Sequence, residues 1–171
     1  MRTLLMWLAA IFVFANFYAM IAEKQALLRD GRTVFLELAP VDPRSLLQGD
    51  YMDLNYAVMN RLNMDHIHEG KPQAESGAII VQLDARNIGA FARYDDSRPL
   101  AANEVRVKYH HAGWRAVIGA ESYFVPEGSG ETFSQATYGE IKLEPDGTAL
   151  IVALCDKNLQ RISAPQKSES R

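Results

Sequence analysis

The chain has 171 residues and a net charge of -3, which suits one domain with a core of its own rather than two sizeable domains. A sequence pI of about 5.8, with no block rich in Lys and Arg, argues against nucleic acid as a partner. The single cysteine, Cys155, excludes an internal disulfide, and its apolar surroundings predict a buried structural thiol.

The first predicted element is a membrane helix. Residues Thr3 to Ala22 carry no charge, and their only strongly polar member is Asn16. Twenty residues at ~1.5 Å rise span about 30 Å, the thickness of a bilayer's hydrocarbon core. The sequence predicts an uncleaved anchor that continues past residue 22 and stops at Gly31. A cleaved secretory signal is the alternative, although Met20 stands where its cleavage site needs a small residue.

Orientation follows less directly from the charges. Arg2 precedes the helix, whereas Lys24, Arg29 and Arg32 follow it, so the count of basic residues points against a cytoplasmic N-terminus. A short tail before a signal-anchor helix favours the opposite arrangement, in which the remaining domain is exported.

The signals after Gly31 are those of strands. Strands are predicted at 33–38, 51–58, 77–84, 104–110 and 114–118, and a hairpin at 138–154 turns at Pro145-Asp146-Gly147. No helical period is evident in this part. Residues 60–77 are predicted to form a long loop, and residues 161–171 a polar flexible tail. The expected architecture is mainly β: an anchor over 1–30, then one mostly antiparallel β domain over 31–160.

The first candidate site is the stretch from 40 to 56. Pro40 and Pro43 fix an extended approach, and Gly49 permits a tight turn before the strand. The candidate binding residues here are Asp42, Arg44, Asp50, Tyr51 and Tyr56. The plainer interpretation is a turn followed by a strand with two ordinary aromatic residues.

The second candidate site is a turn at 119–131, where a strand ends in Pro-Glu-Gly. Its candidate binding residues are Tyr123, Pro126 and Glu127, and Glu121 and Glu131 bring further acid close to it. If both stretches form one site, their turns lie side by side at one edge of the β domain.

Histidines supply a weaker candidate. His66 and His68, if they lie on a strand, point to one face and could hold a metal together with Glu69 or His111. The pairs at 66 and 68 and at 110 and 111 match no recognised metal spacing, so surface histidines are the simpler interpretation and no metal is assigned. The chain also lacks a phosphate-binding loop, a nucleophile elbow, HExxH and CxxC, and no cofactor is expected.

The stretch "GDYMDLNY" resembles the signature of the bacterial GDYXXLXY proteins at Gly49, Asp50, Tyr51, Leu54 and Tyr56. Its flanks "VDPRSLLQ" and the later "SYFVPEGSG" are similar too. The resemblance implies a bacterial inner-membrane protein of unassigned biochemistry, with its β domain in the periplasm and a polytopic membrane protein as partner.

A more distant likeness is to the β scaffold of type I signal peptidases, through "RSLLQGDYM" and "FVPEGSG". In those enzymes a serine lies eight residues before the motif glycine, and here that position is Val41. The likeness therefore implies a non-catalytic relative.

Three functions are consistent with these observations. The first is an anchored, non-enzymatic module that binds a partner through the two motif stretches. The second is a hydrolase at the membrane surface, with a carboxylate pair drawn from Asp42, Asp50, Glu121 and Glu127. The third is a metal-binding sensor that uses the histidines.

Overall fold

The computed structural model describes residues 2–39, 47–48, 51–69, 75–113, 115–126 and 128–164. Its first element is the helix α1, Arg2–Asp30. By length and composition, the stretch Met6–Asp30 could cross a membrane. Its most apolar 18 residues are not buried against the domain. Asn16 donates its side-chain amide to the Phe12 carbonyl at 2.8 Å, which satisfies one polar group within the helix.

The helix ends where the sequence predicts, before Gly31. The Gly31 amide donates to the Leu27 carbonyl at 2.9 Å, and a Cβ at Gly31 would lie only 2.5 Å from that oxygen. Leu27 is buried, and Lys142 donates to the Gly31 carbonyl at 3.0 Å. These contacts tie the end of α1 to the β domain.

The domain is built on a curled, mostly antiparallel sheet of seven strands. They are β1 Arg32–Glu37, β4 Ser76–Leu83, β5 Ile88–Tyr94, β6 Glu104–Ala112, β7 Arg115–Val117, β9 Tyr138–Leu143 and β10 Ala149–Cys155. Their order is β10-β9-β1-β5-β4-β6-β7, with β1 and β5 as the parallel pair. The mainly β class and the predicted hairpin, which is β9 and β10, are confirmed.

A second, small sheet and two helices cover one face of the large sheet. The small sheet has the order β2-β3-β8, with β2 Leu47–Gln48, β3 Tyr51–Asp53 and β8 Ser122–Phe124. The helices are α2 Ala57–Glu69 and the single turn α3 Gly130–Phe133. One apolar core joins the layers, and it includes Val34 and Leu36 of β1, Val81 of β4, Leu62 of α2 and Phe133 of α3.

The helix α2 corrects two predictions. The predicted strand over 51–58 ends at Asp53, and the predicted loop over 60–77 is helical to Glu69. Val58, Met59 and Leu62 are buried with the i, i+1, i+4 spacing of one helix face, so the segment gains more from packing as a helix. Residues 70–74 lie outside the described part of the chain.

The outer face of the sheet carries a network of ion pairs. Ile80 of β4 is fully buried, and its cross-strand neighbours are Arg93 and Arg106. Arg93 contacts Glu104 at 3.0 Å, and Arg106 contacts Asp95 at 2.7 Å. Long arginine stems can cover apolar surface while their heads stay polar, which accounts for burial of an isoleucine on this face.

The end of β10 is held by the segment that follows it. Arg161 pairs with Cys155 across a β-bridge and makes a two-pronged ion pair with Glu140 at 2.6 and 2.7 Å. The Ile162 amide donates to the Leu154 carbonyl at 2.8 Å. The predicted flexible tail therefore begins too early, because Arg161 and Ile162 are bonded to the sheet, while 165–171 lie outside the described residues.

Candidate functional site

The two motif stretches meet in the small sheet. Strand β3 pairs with β8 in antiparallel register. The cross-strand pairs are Tyr51 with Phe124, Met52 with Tyr123, and Asp53 with Ser122. Paired strands lie about 5 Å apart, so the two stretches lie side by side at these strands, whereas part of each predicted turn, at residues 49–50 and 127, lies outside the described residues.

The outward face of this sheet presents two aromatic rings. Tyr51 is 57% exposed and Phe124 is 58% exposed. Their ring centroids are 5.7 Å apart with an interplanar angle of 75°, an edge-to-face contact. We call Tyr51 and Phe124 the aromatic pair. Phe124 was not among the predicted site residues, although its place in a strand beside Tyr123 could have revealed it.

The inward part of the motif belongs to the core. Leu54 and Tyr56 are each 2% exposed. The Tyr56 hydroxyl donates to the Ala120 carbonyl at 2.6 Å, and burial, followed by the nearby charge of Glu121, holds the pKa of Tyr56 well above its ordinary value. Tyr56 is therefore a structural residue and lies beyond the reach of a surface ligand.

Glu121 shapes the turn that leads into β8. Its carboxylate accepts hydrogen bonds from the amides of Ile118 at 2.5 Å and Gly119 at 2.9 Å, and Gly119 has a positive φ of 82°. Its own carbonyl accepts from the Leu54 amide at 2.7 Å. This carboxylate holds the backbone of the motif, and that use competes with a role as an acid or base.

Asp53 and Arg115 form an ion pair beside the aromatic pair. The guanidinium meets the carboxylate with two contacts of 3.1 Å, and the hydrogen bond to Asp53 raises the pKa of Arg115. The partners are 62 residues apart in the chain. No local sequence signal connects them, so sequence reasoning missed this contact.

The turn that follows β8 is anchored by contacts with α3 and the residue before it. Tyr123 is half-buried and packs on Phe133 with ring centroids 5.9 Å apart, and burial raises its pKa. Pro126 is exposed, and its carbonyl accepts hydrogen bonds from the amide and the hydroxyl of Ser129. Pro126 is therefore exposed in a turn that these hydrogen bonds hold in place.

A groove of about 400 Å³ runs beside the motif. Its walls are the end of β1 with Leu38 and Ala39, the motif residues 52–55, and the segment after α3 with Ser134 and Thr137. Backbone hydrogen bonds link its walls: the Leu38 amide donates to the Thr137 carbonyl at 2.9 Å, and the Ala39 amide to the Asn55 carbonyl at 2.8 Å.

Four candidate residues lie outside the described part of the chain: Asp42, Arg44, Asp50 and Glu127. The carboxylate-pair hypothesis rests on three of them, so it stays a prediction.

The histidine hypothesis loses its premise. The hypothesis requires residues 66 and 68 to lie on a strand, and they lie on the helix α2. His110 and His111 lie on β6, where neighbouring residues point to opposite faces. Among the described residues, no three potential ligands of the His, Cys, Asp and Glu types are grouped to hold a metal ion.

Comparison with protein-family models gives one match, to the GDYXXLXY protein family over residues 13–154. The chain belongs to the GDYXXLXY family. Neither the curated proteins nor the solved structures contain a significant match. The likeness to type I signal peptidases is therefore not confirmed. The GDYXXLXY motif itself has two roles in the structure: Leu54 and Tyr56 fill the core, and Tyr51 faces solvent.

Proposed function

We propose that this GDYXXLXY protein is a membrane-anchored, non-enzymatic binding module that holds a membrane-protein partner through the outer face of its small sheet. The observation that carries the proposal is the exposed aromatic pair, Tyr51 and Phe124, on paired motif strands. Tyrosine and phenylalanine are enriched at protein interfaces, and exposed aromatic side chains commonly supply much of the binding energy there.

The surroundings of the pair support an interface. Asp53, which is paired with Arg115 of β7, lies on the same strand as Tyr51, and interfaces commonly surround apolar anchors with polar groups. The fold does not need Tyr51 or Phe124 as core residues, because both are more than half exposed. Their aromatic character is therefore better explained by what they contact outside the chain.

For location, we propose the bacterial cytoplasmic membrane, with the β domain in the periplasm and a polytopic membrane protein as partner. The apolar helix α1 and the family resemblance support this.

A reporter enzyme that is active only outside the cytoplasm, fused after Arg171, is expected to be active. Intact mass of the membrane-extracted chain is expected to include α1, and a mass without it would indicate a cleaved signal.

The test of the interface is photo-crosslinking in native membranes. A photoreactive phenylalanine analogue replaces Tyr51 in one variant and Tyr94 in a control. Tyr94 is matched because it is 38% exposed and makes the same edge-to-face contact, with Phe91 at 5.4 Å and 74°. A discrete crosslinked membrane protein is expected from position 51 and not from position 94. Equal products from both positions, or none from position 51, would overturn the proposal.

A further inference from the structure

A second cavity, of about 530 Å³, lies where α1 joins the β domain, away from the motif. The end of α1, the first part of β1, the start of β6 and the β9–β10 hairpin form its walls. Its apolar lining comes from Ala26, Leu27, Leu100, Val105, Leu143 and Pro145. A cavity of this size and lining suits a small apolar ligand or one hydrocarbon chain.

The position of the cavity relative to the helix points to a membrane ligand. The uncharged stretch of α1 ends at Ala22, and Ala26, the first cavity residue, is four residues or about 6 Å further along the helix. The headgroup layer on each side of a bilayer is about 5–8 Å thick. With α1 in a membrane, the cavity therefore begins at the level of the lipid headgroups.

Most of the charged groups at its rim already have hydrogen-bonded partners within the protein. Five charged side chains line it, and four of them are bonded: Asp30 to Arg29, Arg32 to the carbonyls of Ala102 and Glu104, Glu104 to Arg93, and Arg106 to Asp95. The fifth, Glu144, lies 4.0 Å from Lys24, and its Oε1 is buried without a hydrogen bond among the described residues. A charged ligand would have to compete for the four groups that are already bonded. A hydrocarbon chain would bury the apolar lining and leave these pairs intact.

We infer that this cavity binds an acyl chain of a lipid drawn from the membrane in which α1 is anchored. The inference rests on the anchoring part of the proposed function and is independent of the aromatic pair. The lipid chain turns out of the bilayer beside Ala26 and packs against Leu100 and Val105 on the β domain. The end of α1 thereby gains a lipid-filled contact with the sheet.

The experiment uses the full chain in vesicles of phosphatidylcholine that carries a photoactivatable diazirine near the end of one acyl chain. Crosslinked residues are mapped by mass spectrometry after illumination. Ala26→Trp fills the cavity from an exposed helix position, so the fold is expected to tolerate it. Gln82→Trp, on an exposed position of β4 outside the cavity, is the matched control.

The expected result is crosslinks at Leu100 and Val105 in the unmodified chain and in Gln82→Trp, with their loss in Ala26→Trp. Crosslinks within residues 6–20 stay unchanged in all three chains and report the anchor. Crosslinks to that stretch alone would overturn the lipid site and leave the anchored module standing. Absence of crosslinks even there would remove the anchor, and the lipid site with it. Crosslinks at Leu100 that survive in Ala26→Trp would also contradict the inference.

Discussion

Replacing Tyr56 with phenylalanine tests whether the second tyrosine of the motif stabilises the core. The change keeps the ring and removes only the hydroxyl that donates to the Ala120 carbonyl at 2.6 Å. Ala120 is itself buried, so its carbonyl would be left without this partner in a place that water does not reach. A buried acceptor without a donor costs about 1–3 kcal/mol.

The expected loss of unfolding free energy for Tyr56→Phe is therefore about 2 kcal/mol, which lowers the melting temperature by roughly 4–8 °C in a chain of this size. The same change at exposed Tyr51 is expected to alter stability by less than about 0.5 kcal/mol. The assay is urea and thermal unfolding of the full chain in detergent micelles, followed by circular dichroism. Equal effects of the two changes, or none at Tyr56, would refute the division of the motif into a core part and a surface part.

Three other predictions concern single groups. Cys155 is fully buried, and burial raises its pKa to about 11. Its thiol should therefore resist iodoacetamide at pH 8 until urea is added. Rapid labelling of the native chain would contradict its burial. Arg161→Gln should lower the free energy of unfolding by about 1–3 kcal/mol, because it leaves the buried Glu140 carboxylate without its cation. The expected loss is smaller than for a fully buried pair because the guanidinium is exposed. Arg161→Lys should cost less, and equal unfolding curves for all three chains would refute this. Lys108 holds the pKa of Asp146 at about 2, so the stability it adds is present above about pH 4 and is lost as the pH falls through 2. Asp146→Asn should therefore lower stability by under about 1 kcal/mol at pH 6 and by progressively less as the pH falls towards 2, and a difference as large at pH 2 as at pH 6 would contradict the assignment.

Much of the fold follows from local patterns in the sequence. The uncharged run from Thr3 to Ala22 predicts the helix, and Pro145-Asp146-Gly147 predicts the turn between β9 and β10. The position of both motif stretches at turns led to the expectation that they lie together if they form one site. The pairing of β3 with β8 agrees with it.

The misses have physical reasons. Met52, Leu54, Tyr56 and Val58 alternate as in a strand, yet Val58 also begins the buried face of α2, and tertiary packing decides between the two periods. Strand β5 was not predicted, and its second residue is Gly89, a residue type that is unfavourable in strands. A Cβ at Gly89 would lie 2.6 Å from a Val81 methyl and 2.9 Å from a Leu36 methyl, so glycine is needed where the sheet and core come closest.

The contacts of the site residues were harder to predict from the sequence. Some join residues far apart in the chain, and others are hydrogen bonds to backbone amides that residue type does not indicate. Nothing near Asp53 in the sequence identifies Arg115 as its partner. Glu121 resembles any loop carboxylate until the structure shows it bonded to the amides of its own turn. By contrast, the alternation of residues 51–58 predicts Tyr51 and Tyr56 on opposite faces, and the exposure of Tyr51 and burial of Tyr56 agree with it.

The most direct test of the binding function compares partner recovery by three forms of the full chain: unmodified, Tyr51→Ala and Tyr94→Ala. Each is purified from membranes under mild detergent, and co-purifying membrane proteins are quantified by mass spectrometry after unfolding curves show that the three are equally stable. We expect one membrane protein that is recovered with the unmodified chain and with Tyr94→Ala and is strongly depleted with Tyr51→Ala. Equal recovery with all three forms would contradict a binding surface at the aromatic pair.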